Sequence, residues 1–183
     1  AKIIQVELEK KMIGRYFPVE IGIYADAAIF ADQLYNEIKK TKLTTHLKEW
    51  TTRYLHERKN FLIDRDKIKF KNYPIQPKGL FKQLRQVLPR NSAITLDAGT
   101  LCLQATDALE YYDPPSLFTP LDFGLVGFSF ACGLGVKVAK PNKKVISLMG
   151  DGGFGMTISE LSTAVEYGIN TITIVMNNKS WGA

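Results

Sequence analysis

Apolar positions open the chain as a block in AKIIQVELEK, which predicts a strand. The spacing then changes: in ADAAIFADQLYNEIKK, residues Ala28, Phe30, Leu34 and Ile38 can share one stripe of a helix. Residues 41–75 are polar and aromatic without a period and run into the proline-containing NYPIQP, so they read as a linker. Beyond it helix and strand patterns alternate. KGLFKQLRQVLP is a helix stopped by Pro89, SAITLD a strand, FSFACGLGVKVAK a Gly-rich helix and KVISLM a strand. TISELSTAVEY is a further helix and TITIVM a β-branched strand. In the former, Thr157 and Glu160 have capping-box spacing, and Gly168 stands where a helix stops. AGTLCLQATDALEYYDPPSLFTPLDFG is left as a long loop.

Short strands separated by helical crossovers predict an α/β fold, a parallel sheet with helices on both faces. The opening strand, with no turn or cap before it, reads as the tail of a separate α/β domain over residues 1–40. The linker covers 41–75, and the second domain covers 76–183. Ligands of such sheets bind beyond the strand C-terminal ends. Asp97, Asp151 and Asn178 lie at three of those ends.

Composition narrows this picture without redrawing it. Of 183 residues, 45% are hydrophobic and 11% aromatic, enough for a packed core. Residues 1–76 hold fifteen Lys/Arg against ten Asp/Glu and residues 77–183 nine against eight, for a formal charge of +6. Acids interrupt the bases throughout, which fits a solvated helical face, and nucleic acid is not an expected partner. The most apolar stretch, FGLVGFSFACGLGVKVA, meets Lys137 before the ~18 apolar residues of a membrane span accumulate. With no leader at its start, the expectation is a cytoplasmic protein without a membrane. Cys102 and Cys132 lack paired spacing and read as reduced packing residues. His46 and His56, ten apart, read as surface histidines.

The chemistry concentrates in LMGDGGFGMT, where glycines 150, 152, 153 and 155 surround Asp151 directly after an apolar run. Gly150, Gly152 and Gly155 satisfy the G-x-G-x-x-G spacing of a dinucleotide loop. Such a loop is followed about twenty residues on by an acid that holds the ribose hydroxyls. Here TITIVM ends in Asn177 and Asn178, so a nicotinamide cofactor is disfavoured. A carboxylate beside a pyrophosphate is repulsive unless a cation lies between them. Mg2+ takes hard oxygen ligands together with phosphate oxygens, and Asp151 with an asparagine amide supplies them. Without Asn178, Asp151 would read as a plain helix cap and the glycines as a tight turn.

GDG, then 24 residues, then NN, on strand–helix–strand, resembles the thiamine diphosphate motif of the acetolactate synthase, pyruvate oxidase and pyruvate decarboxylase superfamily. FGLVGFSFACGLGVKVAKP resembles the segment under the cofactor rings, and ITLDAGT the strand and loop at its diphosphate end. KIIQVELEKKMIGRYFPVEIGIYADA resembles the end of the family's central domain. The resemblance implies that Asp151 and Asn178 are Mg2+ side-chain ligands and that Ser180 adds its backbone carbonyl. Gly152 and Gly153 would give N–H groups to the diphosphate, with Gly99, Thr100 and Leu101 forming the second diphosphate loop. The Gly124 carbonyl would accept from the cofactor's amine, and Val126 would prop the cofactor's bend. Val126 by itself reads as a core residue, Asp97 as a cap of its own loop, and Trp181 as core packing or substrate lining.

The implied activity is decarboxylation of a 2-oxo acid with protonation, oxidation or transfer of the remaining fragment. Acetolactate synthase-like chemistry leads, and a nicotinamide-dependent oxidoreductase or a non-catalytic regulatory or binding fragment is disfavoured. NNKSWGA is similar to the sulfoacetaldehyde acetyltransferases, which pass an acetyl unit to phosphate. The resemblance leaves FAD in the central domain open. It implies a homo-oligomer, dimer or tetramer, whose catalytic glutamate comes from a pyrimidine-binding domain of another subunit. That domain is absent from these residues and the cofactor domain reads as truncated after Ala183, so this segment alone is expected to be inactive.

Overall fold

The computed structural model describes residues 2–41, 47–65, 67 and 74–182, which divide into two units, Ala1–Phe61 and Leu62–Ala183. In the first unit, β1 (Ile4–Glu7) pairs in parallel with β2 (Ile21–Tyr24), Ile4 opposite Ile21. The Gln5 side chain ties the connection by donating to Met12 O at 3.0 Å and accepting from Gly14 N at 2.8 Å. Helix α1 (Ala27–Lys40) starts where the Asp26 carboxylate accepts from Ala28 N and Ile29 N, satisfying two free first-turn donors. The pattern-based reading anticipated β1 and α1 but contained no β2. Helix α2 (Leu47–Arg65) occupies much of the stretch read as linker, with Trp50 stacked on Tyr54 at 5.6 Å between ring centres. His46 lies outside the described residues.

The second unit takes in the end of α2 from Leu62, and its next element is α3 (Pro77–Val87), which has proline in its first turn, where no N–H is missed. Then follow β3 (Ala93–Leu96), α4 (Thr100–Ala108), β4 (Leu117–Phe118), α5 (Phe128–Ala139) and β5 (Val145–Gly150). The described chain continues through α6 (Asp151–Thr157), α7 (Glu160–Glu166) and β6 (Ile172–Met176). The four strands form a parallel sheet in the order β4-β3-β5-β6. This is the α/β architecture that the alternating pattern implies.

Strand periodicity assigns the two faces. Ile94, Leu96, Ile146 and Leu148 join Phe81 of α3 and Cys102 and Ala105 of α4 in one core. The alternate positions pack on the other face, Ala93 and Val145 with Val136, and Met149 with Phe130 and Leu134. There α5 approaches the sheet closely through a buried hydroxyl cluster. Thr95 Oγ1 donates to Ser129 O at 2.8 Å, Ser129 Oγ donates to Thr95 O at 2.9 Å, and Thr95 and Ser147 hydroxyls lie 2.9 Å apart. A methyl group on Gly133 would overlap Ser147 Oγ. Gly133→Ala is expected to destabilise the fold by roughly 1–3 kcal/mol, partly offset by alanine's helix preference. Ser147→Ala in the same chain should recover part of that loss, because the Ser147 Cβ lies 3.7 Å from the added methyl, an ordinary contact. Thermal denaturation of the singles and the double reads this, and strictly additive losses would contradict it.

Two local expectations give way to tertiary contacts. Thr157 does not cap the following helix: it ends α6, and its hydroxyl donates to Gly127 O at 3.2 Å. Ser159, in helical conformation, is the N-cap of α7 and makes no side-chain capping bond. The helix stop at Gly168 forms as a Schellman end, with φ +61°, Gly168 N to Val165 O at 3.3 Å and Ile169 N to Ala164 O at 2.8 Å.

Candidate cofactor site

Strand order creates the crevice. The chain leaves β3 for β4 on one side, then returns past β3 to β5 on the other, so the order switches between β3 and β5. Parallel α/β sheets bind ligands at such a switch, beyond the strand C-terminal ends. Here the ends are Asp97–Ala98 after β3 and Gly150–Asp151 after β5, held alongside each other by the Leu96–Leu148 pair. A helix starts at each end. At the start of α4 the Cys102 N–H donates back to Gly99 O at 3.1 Å, which leaves the Thr100 and Leu101 N–H groups. These and the first N–H groups of α6 have no partner within their helices, and both dipoles favour an anion.

The ladder also fixes the acid relative to the asparagines. Gly150 pairs with Met176, so Asp151 and Asn177 are the residues that directly follow a paired position on adjacent strands. The half-buried Asp151 carboxylate has no ion-pair or hydrogen-bond partner among the described residues. Asn178 Oδ1 accepts from Ser180 N at 3.1 Å, and Asn177 Oδ1 from Lys179 N at 2.9 Å, folding the segment into a tight turn. A carbonyl-type oxygen has two lone pairs, so Asn178 Oδ1 retains capacity for a second partner. An unpaired carboxylate beside neutral oxygens is a donor set suited to Mg2+. Among the described residues no cluster of three His, Cys, Asp or Glu offers another metal centre.

The Asn178–Gly182 turn reaches both helix starts. The Trp181 ring lies on Gly152, where a Cβ would meet it at 2.9 Å. Thr100 Oγ1 donates to Gly182 O at 3.4 Å. Trp181 is thus an exposed cover on the first turn of α6 and not a core residue. Gly99, Thr100 and Gly124 meet around a cleft of about 230 Å3, together with Thr119, Pro120 and Leu121. Leu101 turns away: its side chain packs against the core, leaving only its backbone on the helix start. Val126 stands apart from that cleft, lining a more open apolar hollow of about 710 Å3 with Phe128, Ala131 and Met156.

Asp97 has a role that the pattern does not reveal. Its carboxylate, 2% exposed, caps α5 and not its own loop. Oδ2 accepts from Gly127 N and Oδ1 from Ser129 N, each at 3.1 Å. It also explains Gly153, because a methyl there would overlap Oδ2 and lie 3.0 Å from Cγ. Both partners of Asp97 are backbone groups about thirty residues on, so no spacing of side chains signals them.

Two groups of this unit are shifted towards the protonated form, Cys132 and Tyr111. Burial pushes the Cys132 thiol up. Burial, with Cys102 adding to it, raises the Tyr111 hydroxyl, which donates to Ala105 O at 3.1 Å. No glutamate lines either hollow among the described residues. Among them, too, no helix is long and apolar enough to cross a membrane.

Residues 97–183 match the family described as thiamine pyrophosphate enzyme, C-terminal TPP binding domain. The whole chain aligns with a sulfoacetaldehyde acetyltransferase of Castellaniella defragrans at 28% identity, over 34% of that protein. It aligns with probable acetolactate synthase large subunits of Methanococcus aeolicus at 28% identity, over 32% of that protein, and of Methanocaldococcus jannaschii at 30%, over 31%. The chain therefore spans about a third of the length of the curated relatives it matches.

Proposed function

We propose that this chain, whose residues 97–183 belong to the thiamine pyrophosphate enzyme C-terminal domain family, carries the metal and diphosphate half of an acetolactate synthase-like 2-oxo acid decarboxylase or carboligase. The observation that carries this reading is the unpaired Asp151 carboxylate, in register beside Asn177 and Asn178 at the switch point of the sheet. Asp151 and Asn178 hold Mg2+ through side-chain oxygens, and Ser180 holds it through its backbone carbonyl. The N–H groups of Gly152 and Gly153, and those of Thr100 and Leu101 after Gly99, receive the diphosphate. The Gly124 carbonyl accepts from the cofactor's amine, and Val126 supports the ring side from the apolar hollow. When bound, thiamine diphosphate supplies the carbanion-stabilising centre through which a 2-oxo acid loses CO2. In this reading the acid–base group comes from the pyrimidine-binding domain of a second subunit, which makes the working enzyme a homo-oligomer.

A second reading has its own support. Sulfoacetaldehyde acetyltransferases of two organisms align over the whole chain at 28% and 27% identity, and the NNKSWGA turn places Trp181 on Gly152. In that reading the same site passes an acetyl unit to phosphate. The test is product analysis with the full-length protein, Mg2+ and thiamine diphosphate. Acetolactate and CO2 from pyruvate support the first reading. Acetyl phosphate from sulfoacetaldehyde and phosphate transfers the assignment to the second, and turnover of neither contradicts both.

A further inference from the structure

Resting on the cofactor reading above, we infer that Asp97 is a positioning residue. It sets the spacing between the Gly124–Val126 turn and the metal and diphosphate end at Asp151–Gly153, acting through Gly127 without touching the cofactor. The two ends are anchored very differently. Asp151 follows Gly150 directly, the last paired residue of β5, so the start of α6 is fixed by the sheet. The turn before α5 has no such support. Phe123 N and Gly124 N donate locally to Pro120 O, at 3.1 and 2.6 Å. Among the described residues, the hydrogen bonds from 121–127 to elements beyond that turn and α5 are both made by Gly127. Its N–H donates to Asp97 Oδ2 at 3.1 Å, and its carbonyl accepts from Thr157 Oγ1 at 3.2 Å.

Gly127 is also sterically confined. Its φ is +91°, and a Cβ there would meet Thr157 Cγ2 at 3.1 Å and Met156 Cβ at 3.2 Å. Asp97 itself abuts Gly153, so a single buried carboxylate touches the first turn of α6 and the turn leading into α5. Its position is fixed in turn by the sheet, since Asp97 N donates to Leu148 O at 3.1 Å. Among the described residues no cation pairs with this buried charge; the Gly127 and Ser129 N–H groups and the start of α5 balance it. Asparagine keeps the shape but turns one acceptor into a donor facing an N–H. The turn must then shift while α6 stays on the sheet.

A ligand that engages both ends feels that shift, whereas one that engages only the diphosphate end does not. The experiment is calorimetric titration of full-length wild type, Asp97→Asn, Thr157→Val and Ser147→Ala, all well below their melting temperatures and with Mg2+. Each is titrated with thiamine diphosphate and with inorganic pyrophosphate. Asp97→Asn is expected to weaken thiamine diphosphate about tenfold or more and Thr157→Val severalfold, because preorganisation of one end is lost. Pyrophosphate affinity should change by less than about twofold in both variants. Ser147→Ala, which disturbs the same helix at its hydroxyl cluster, should leave both ligands unchanged. Equal weakening of the two ligands in Asp97→Asn, or no change in either, overturns the inference while the cofactor reading stands. Failure of the wild type to bind thiamine diphosphate removes the cofactor reading and this inference with it.

Discussion

Asp151→Ala is expected to weaken Mg2+-dependent thiamine diphosphate binding roughly 100-fold or more while leaving the fold almost as stable as before. The asymmetry follows from what the carboxylate does in the free protein. It has no hydrogen-bond or ion-pair partner among the described residues, so truncation breaks no hydrogen bond or ion pair. What is lost is a favourable charge at the start of α6, about 0.3–1 kcal/mol. In the complex the same carboxylate neutralises a metal against a diphosphate, and deleting one partner of a desolvated charge pair costs about 2–5 kcal/mol. Asn178→Ala removes a neutral oxygen and should cost about tenfold. Calorimetry for affinity and thermal melting for stability separate the two effects. A large drop in melting temperature with unchanged affinity would mean that Asp151 is a structural cap.

Gly153→Ala should do the reverse, damaging the fold by about 3 kcal/mol or more. Alanine is favoured over glycine in a helix by about 1 kcal/mol, yet here steric overlap decides. The added methyl would overlap Asp97 Oδ2, and Asp97 cannot swing aside without releasing Gly127 N and Ser129 N. Gly155→Ala, two residues on, is the natural contrast, because a Cβ there meets nothing within 4 Å. It should be neutral or stabilising by up to about 1 kcal/mol. Denaturant unfolding of the two variants tests the pair. Similar stabilities would show that the glycine at 153 serves something other than clearance for Asp97.

The elements legible in the sequence are those with uniform burial along the element or with a clear apolar stripe, as in α1 and α3. β3 and β5 are buried on both faces, and α5 is apolar enough to stand out between them. α4 and α6 were hidden for a shared reason. Each begins at a glycine with no side-chain cap, and α6 is rich in glycine, which lowers helix propensity. Both form because the sheet delivers them to the switch point, a tertiary cause that local pattern does not carry. Helix α2 has no apolar stripe to announce it, and β2 is four residues long with Gly22 pressed against Ile13.

The candidate site was legible where it consists of side chains at strand ends. Asp151 and the Asn177–Asn178 pair are visible because their residue types are unusual just after apolar runs, and strand register explains how they come together across the 25 residues between Asp151 and Asn177. The parts made of backbone were not legible. Nothing in the sequence says that Asp97 serves Gly127 and Ser129, that Thr157 reaches back to Gly127, or that Trp181 lies on Gly152. Those contacts depend on how two loops cross above the sheet.

The central claim is that one divalent cation joins Asp151 and Asn178 to the cofactor's diphosphate. Titrating the full-length protein with thiamine diphosphate, once with Mg2+ and once with EDTA, tests it most directly. Saturable binding is expected with Mg2+ and affinity at least about 100-fold weaker in EDTA, because the Asp151 charge then faces the diphosphate bare. Equal affinity in the two solutions would contradict it.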